Sequence, residues 1–207
     1  SCGFSPYYLH SKTDESLILK AREGYKRINP KIKTIEYVKI KPEEHVDSLI
    51  DGCIDLFRSP SPKEADAIKQ SKGPVVFEAS GNQQLSLQMD IKISPYNDLH
   101  FRKALMHLIP YESIIKEIYL GYARPWNGVV SDVNPAYQEF FNGETNFDLA
   151  KKELAMSAYS NESLELYYPQ ESILQKQIVS AIIENAAKIH LSIKSRPVSG
   201  EKMSTMQ

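Results

Sequence analysis

Asn97-Asp98-Leu99-His100-Phe101-Arg102-Lys103-Ala104-Leu105 is the stretch from which the rest of the chain can be ordered. Asp98 carries a short carboxylate that can accept N–H bonds from the first turn of a helix, so it reads as an N-cap. Phe101, Leu105 and Leu108 then share one helical face. Pro110 ends that run, since proline has no N–H to give and its ring crowds the preceding turn. Ile114, Ile115 and Ile118 stripe a second helical segment, and Gly121 to Gly143 is a long coil with aromatic, Pro and Asn residues and the only tryptophan, Trp126. Coils of that length are usually functional.

Upstream, Gln84 to Ile91 alternates strictly: Leu85, Leu87, Met89 and Ile91 on one face, Gln84, Ser86, Gln88 and Asp90 on the other. That pattern predicts a strand. Earlier still, Leu17-Ile18-Leu19 and Ile35 to Ile40 are β-rich runs separated by the turn-prone Gly24 to Pro30, which suits a long antiparallel connection. Pro42 starts a helix with Glu43 and Glu44 in its first turn and Gly52 after its end. A short strand is expected at Cys53 to Phe57, a helix opened by Ser61-Pro62-Lys63-Glu64 and closed by Gly73-Pro74, and a strand at Val75-Val76-Phe77. The β-α-β-α-β order implies α/β layer packing.

Downstream, a helix near 148–158, a strand at Leu164-Leu166-Tyr168, a helix near 171–188 and a strand at Ile189-Leu191-Ile193 follow, and the last fourteen residues read as an unfinished element. Tyr168 shares its strand's apolar face, which leaves Tyr167 on the other face as the better ligand contact.

The chain has 207 residues, enough for one large domain or two small ones. Its 42% hydrophobic and 25% charged residues exclude disorder and a disulfide-built miniprotein. A net charge of −1 gives no general surface for phosphates, so nucleic acid is not an expected partner. The charge is uneven, with nine Lys and Arg against four Asp and Glu in residues 1–41, and a solvated sheet face accounts for it. No stretch approaches the roughly 20 apolar residues of a membrane span. Cys2 and Cys53 sit in no metal or redox spacing and read as idle thiols.

The five histidines fall at no paired ligand spacing, so no metal is expected. GxSxG, Walker and GxGxxG motifs are absent, which removes the usual entry points to hydrolase, P-loop and dinucleotide chemistry, and no cofactor is expected. The carboxylate pairs sit at helix starts or turns, where backbone N–H groups account for them. The distinctive equipment is instead twelve tyrosines and Trp126-Asn127-Gly128, groups suited to stacking and adaptable hydrogen bonding.

The order of motifs resembles the family 5 solute-binding proteins of ABC transporters, the oligopeptide, dipeptide and nickel-binding group. Asn97 to Leu105, then Tyr111-Glu112-Ser113-Ile114-Ile115, then Leu120-Gly121-Tyr122-Ala123-Arg124-Pro125 are similar to that family's capped two-helix unit and Pro-containing loop. Gly24-Tyr25, Pro30 to Ile40, Asp51-Gly52-Cys53-Ile54-Asp55-Leu56, Asp148 to Tyr159 and Ile178 to Ile193 resemble its other steps in the right order, and Gly3 to Tyr7 is similar to its entry.

The resemblance implies an α/β, periplasmic-binding-protein-like fold (type II, Venus flytrap) with mixed sheets flanked by helices, of which this chain is a central fragment. Residues 1–88 are then part of lobe I and 89–207 most of lobe II, with the Gln84 to Ile91 strand crossing between them. It implies binding of peptides or similar small solutes, without chemistry, for delivery to an ABC transporter permease. It also implies an extracytoplasmic location, in the periplasm or at a membrane-anchored cell surface, with membrane contact only through a lipid anchor outside these residues. The alternative is a solute-sensing domain of a transcription regulator. The ligand-contact residues expected are Gln84, Ser86, Trp126, Asn127 and Tyr167. His100 in place of a usual Arg, Pro110 in place of a usual Asp and the missing aromatic near Pro197-Val198-Ser199 depart from the pattern. No arginine occurs between Arg124 and Arg196, which argues against dipeptide specificity.

Overall fold

The first β-rich runs pair as anticipated. In the computed structural model, which describes residues 5–79, 81, 83–132 and 134–206, β1 (Tyr7–Lys12), β2 (Ser16–Ala21) and β3 (Thr34–Val38) form an antiparallel sheet in that order. A tight turn joins β1 to β2, where the Thr13 hydroxyl oxygen accepts from Ser16 N at 2.9 Å. Leu19 stands opposite both Leu9 and Ile35, and Leu17 opposite Tyr37, so the apolar residues share one face.

Pro42–Glu44 form a single 3-10 turn that leads into α1 (His45–Ile50), and Gly52, at φ 73°, follows its end. Only glycine takes that backbone conformation without strain. α2 (Pro62–Gln70) starts with a reciprocal cap: Ser61 N donates to Glu64 Oε2 at 2.7 Å and Glu64 N to the Ser61 hydroxyl at 3.4 Å. Glu64 Oε1 also lies 3.0 Å from His45 Nδ1, which ties α2 to α1.

The expected strands at Cys53 to Phe57, Val75 to Phe77 and Gln84 to Ile91 are not strands. A strand needs a partner for its backbone groups, and among the described residues none pairs with these segments. Val75, Phe77, Leu85 and Ile91 are exposed, while Leu87 and Met89 are half-buried and Met89 packs against a core. The alternation of Gln84 to Ile91 and the apolar residues of the two shorter segments are therefore not used in pairing.

Contacts divide the chain into two compact units, Ser1–Val76 and Phe77–Gln207, and Gln84 to Ile91 falls in the second. The core of the second unit begins where Asp98 starts α3 (Leu99–Leu108). Asp98 Oδ1 accepts from His100 N at 2.7 Å and Phe101 N at 3.1 Å, the N-cap read from the sequence. Its Oδ2 accepts from Ala158 N at 2.9 Å, and these backbone donors, that of Ala158 first, hold the Asp98 carboxyl below its usual range. α3 packs on α5 (Phe147–Met156), and fully buried Ala104 and Ala150 let the two helices approach closely.

α4 (Tyr111–Ser113) begins directly after Pro110 and passes into a π-helical turn, Ile114–Ile118, that ends at Leu120 (φ 51°) and Gly121 (φ 85°). Burial in this region pushes the Tyr111 phenol up to about 12. A raised folded value means the contribution to stability is complete below the unfolded pKa of 10.0 and is lost as pH rises through about 12. Unfolding midpoints measured across that interval are expected to fall more steeply for the parent chain than for Tyr111→Phe, which keeps the ring and has no proton to lose; parallel slopes would contradict the assignment.

β4 (Leu164–Pro169) and β5 (Ile193–Val198) pair in parallel across α6 (Ile173–Ala187), and α7 (Gly200–Thr205) follows. The last strand thus lies beyond the expected Ile189-Leu191-Ile193, where Ile189 and Leu191 are buried in the connection instead. Within the last fourteen residues, β5 runs to Val198 and Ser199 caps α7. One antiparallel and one parallel sheet with flanking helices make the chain α/β.

Candidate ligand-contact residues

Residues of one strand face alternate, and β4 applies this rule to place Tyr167 and Glu165 together while Leu164 and Tyr168 enter the core. In the parallel register Tyr167 stands opposite Arg196. Arg196 donates from Nε at 2.8 Å and from Nη2 at 2.6 Å to Glu165 Oε1, and the Tyr167 hydroxyl donates to Glu165 Oε2. The Tyr167 hydroxyl first, then Arg196, hold the Glu165 carboxyl below its usual range. The same hydrogen bond raises the Tyr167 phenol.

Tyr96 borders this patch. Its phenol is raised first by burial, then by the charges of Glu165, Tyr167 and Glu162. Arg102 Nη1 donates to the Tyr96 carbonyl at 2.7 Å, and the Tyr96 ring meets Phe101 edge-on at 5.7 Å. The sheet face therefore offers the Tyr167 phenol, a carboxylate and a guanidinium to solvent-side contacts, with the charges paired to each other, and half-buried Tyr96 stands at its border.

Trp126 and Asn127 lie in the coil between α4's π turn and α5. Asn127 Nδ2 donates to Glu139 Oε1 at 2.8 Å, and the Asn127 carbonyl accepts from Phe140 N at 2.8 Å. A Cβ on Gly128 would sit 2.6 Å from both the Gln138 carbonyl oxygen and the Tyr137 ring, so only glycine permits this approach. Segment 137–143 is thereby drawn over 125–128. Among the described residues, Trp126 Nε1 and Asn127 Oδ1 are buried with no hydrogen-bond partner. Arg124, beside them in sequence, is paired with Asp132 at 2.7 Å.

Gln84 and Ser86 are exposed in a segment without helix or strand. No hydrogen bond or ring contact of the described residues joins Gln84 or Ser86, the Trp126–Asn127 pair and Tyr167 to one another. Glu165, Arg196 and Tyr96 were not singled out from the sequence. The period-two face of β4 is a sequence signal for Glu165; Arg196 lies beyond the expected Ile189-Leu191-Ile193 strand, and only the observed β5 sets it opposite Tyr167. Among the described residues no group of three or more His, Cys, Asp or Glu is placed to hold a metal ion, and no helix is long and apolar enough to cross a membrane. Cys53 is a free, exposed thiol, and Cys2 lies outside the described residues.

The sequence profile described as "Bacterial extracellular solute-binding proteins, family 5 Middle" matches residues 2–207. The dipeptide-binding protein of Escherichia coli K12 is 28% identical over 122 residues, which is 58% of this chain and 23% of the relative. NikA from Brucella suis, solved with Fe(III)-EDTA, superposes with a TM-score of 0.81 at 17% identity, over 99% of this chain and 45% of its own. The ABC transporter-associated periplasmic binding protein DppA from Helicobacter pylori, solved with the peptide STSA, superposes with a TM-score of 0.80 at 20% identity, over 97% and 40%. The fold of these residues is accordingly the α/β periplasmic-binding-protein fold. The chain spans less than half the length of each of these relatives.

Proposed function

Because this chain belongs to family 5 of the bacterial extracellular solute-binding proteins, over its middle region, we propose that it forms part of a receptor that binds peptides or similar small solutes and hands them to an ABC transporter permease. The single observation that carries the reading is the family match over residues 2–207. Relatives solved with a peptide or a metal chelate are consistent with a solute-receptor role.

In this reading residues 1–88 belong to one lobe and 89–207 to the other. Solute touches both lobes only when they close, so its differential affinity shifts the population toward the closed state. No bond is made or broken. Peptide backbone is held by hydrogen bonds and side chains by pockets, which tolerates varied sequence. Contacts come from Gln84, Ser86, Trp126, Asn127 and Tyr167, the last backed by Glu165 and Arg196. The protein works outside the cytoplasm, in the periplasm or held at the cell surface by a lipid anchor.

Titration of the full protein with mixed short peptides, with bound species recovered and weighed by mass spectrometry, tests this. Recovery of a defined peptide set, together with a smaller radius of gyration on binding, is the expected result. A protein that retains no solute and does not contract contradicts it.

A further inference from the structure

Among the described residues, two polar atoms on consecutive side chains, Trp126 Nε1 and Asn127 Oδ1, are enclosed without a partner, in a coil that pairs Asn127 Nδ2 with Glu139 and Arg124 with Asp132. Buried polar groups of this kind are rare in folded proteins and call for an occupant. The orientation of the Asn127 amide is fixed: turning it over would set Oδ1 against the Glu139 carboxylate that now accepts from Nδ2 at 2.8 Å. The indole nitrogen can only donate and Oδ1 can only accept.

We propose that Trp126 and Asn127 form a binding position for the uncharged backbone of a peptide, one carbonyl accepting from Trp126 Nε1 and one N–H donating to Asn127 Oδ1. This rests on the receptor reading above. A ligand carboxylate satisfies the indole but repels Oδ1 and stands beside Glu139. An ammonium satisfies Oδ1 but leaves the indole N–H unpaired. Arg124 is already engaged by Asp132 and gives no free cation to attract an anion. The position is therefore selective for the interior of a peptide rather than for its charged ends.

Entry requires segment 137–143 to part from 125–128. Both bonds that fasten it, Glu139 to Asn127 Nδ2 and Phe140 N to the Asn127 carbonyl, are made on the residue that receives the ligand. Gly143 crosses so near Asn127 that a Cβ there would lie 3.0 Å from Oδ1. The strap and the ligand compete for the same space.

The test titrates the full protein with short peptides blocked as N-acetyl and C-terminal amide, read by calorimetry and by the tryptophan emission that is lost in Trp126→Phe. A saturable emission shift is expected, with affinity weakened about 5- to 10-fold by Asn127→Leu when it is compared in proteins that both carry Glu139→Ala, so that only the ligand's hydrogen bond differs between them. N-methylation of the peptide backbone is expected to weaken binding to a similar degree without altering the protein. Glu139→Ala is expected to tighten binding about 3-fold by loosening the strap, a direction that a merely structural contact does not give. Heat of binding with no emission shift, and equal affinity in Asn127→Leu, leaves a buried water as the occupant and overturns the amide position while the receptor reading stands. No heat with blocked or free peptides overturns both.

Discussion

Phe101→Ala is expected to lower the unfolding free energy of the Phe77–Gln207 unit by about 3–5 kcal/mol, the range for emptying a closed core site of a large aromatic. Phe101 is 0% exposed and stands within the cluster of Leu105, Leu108, Ala150, Leu164, Ala186, Ile189 and Leu191. Its ring is stacked on Tyr159 at 5.4 Å and meets Tyr96 edge-on at 5.7 Å, so truncation removes two aromatic pairs along with the buried area. α3 cannot collapse into the void, because Asp98 pins its first turn to the backbone at Ala158 and its small residues already pack against α5. Urea unfolding followed by Trp126 emission reads the unit that contains the substitution. Phe101→Leu, which refills most of the space, is expected to cost distinctly less; equal midpoints for the parent chain and Phe101→Ala would contradict the packing.

The same substitution reaches the polar patch. Tyr96 is held between Phe101 on one side and the charges of Glu165 and Glu162 on the other, and its phenol is raised first by burial. Loss of the Phe101 ring exposes Tyr96, so its titration is expected to move down toward the ordinary tyrosine value. A spectrophotometric titration of the tyrosines in the two proteins reads this directly, and an unmoved Tyr96 would separate the patch from the core behind it.

What was legible in the sequence was whatever depended on one segment alone. The Asp98 cap, the helix start at Ser61 to Glu64, the break at Pro110 and the opposite faces of Tyr167 and Tyr168 are set by local chemistry, and each is found in the structure. Segments whose conformation depends on a partner were misread. Gln84 to Ile91 has a strand's alternation and no strand beside it among the described residues. The apolar residues of Ile189 to Ile193 predict the final strand there, yet pairing with β4 is made by Ile193–Val198, a stretch with Lys194, Ser195, Arg196 and Pro197. Burial and pairing were thus divided between neighbouring segments. That division also concealed Arg196, since a guanidinium 31 residues from Glu165 becomes its partner only once the parallel register is known.

Asn185→Ala is expected to destabilise the same unit by about 1–3 kcal/mol, because it removes the only hydrogen-bond donor given to the Leu108 carbonyl among the described residues and leaves that carbonyl buried. The last carbonyls of a helix have no partner within it. At the end of α3 a glycine turn cannot supply one, since Pro110 follows and has no N–H. The chain meets the need from elsewhere: Asn146 N donates to the His107 carbonyl at 2.9 Å, Asn185 Nδ2 to that of Leu108 at 2.8 Å and the Thr145 hydroxyl to that of Ile109 at 2.5 Å. Asn185 is 6% exposed on α6, and its Oδ1 accepts from Lys188 Nζ at 2.8 Å while Lys188 also lies over the Phe147 ring. One side chain therefore links the end of α3 to α6 and, through Lys188, to the start of α5. Asn185→Asp divides the two bonds, since it keeps an acceptor for Lys188 and at neutral pH has no donor for Leu108. If the Leu108 bond carries the effect, Asn185→Asp destabilises at least as much as Asn185→Ala in urea unfolding at pH 7, because its carboxylate then faces a carbonyl oxygen. Stability close to that of the parent chain would place the effect on Lys188 instead, and the end of α3 would need another cap.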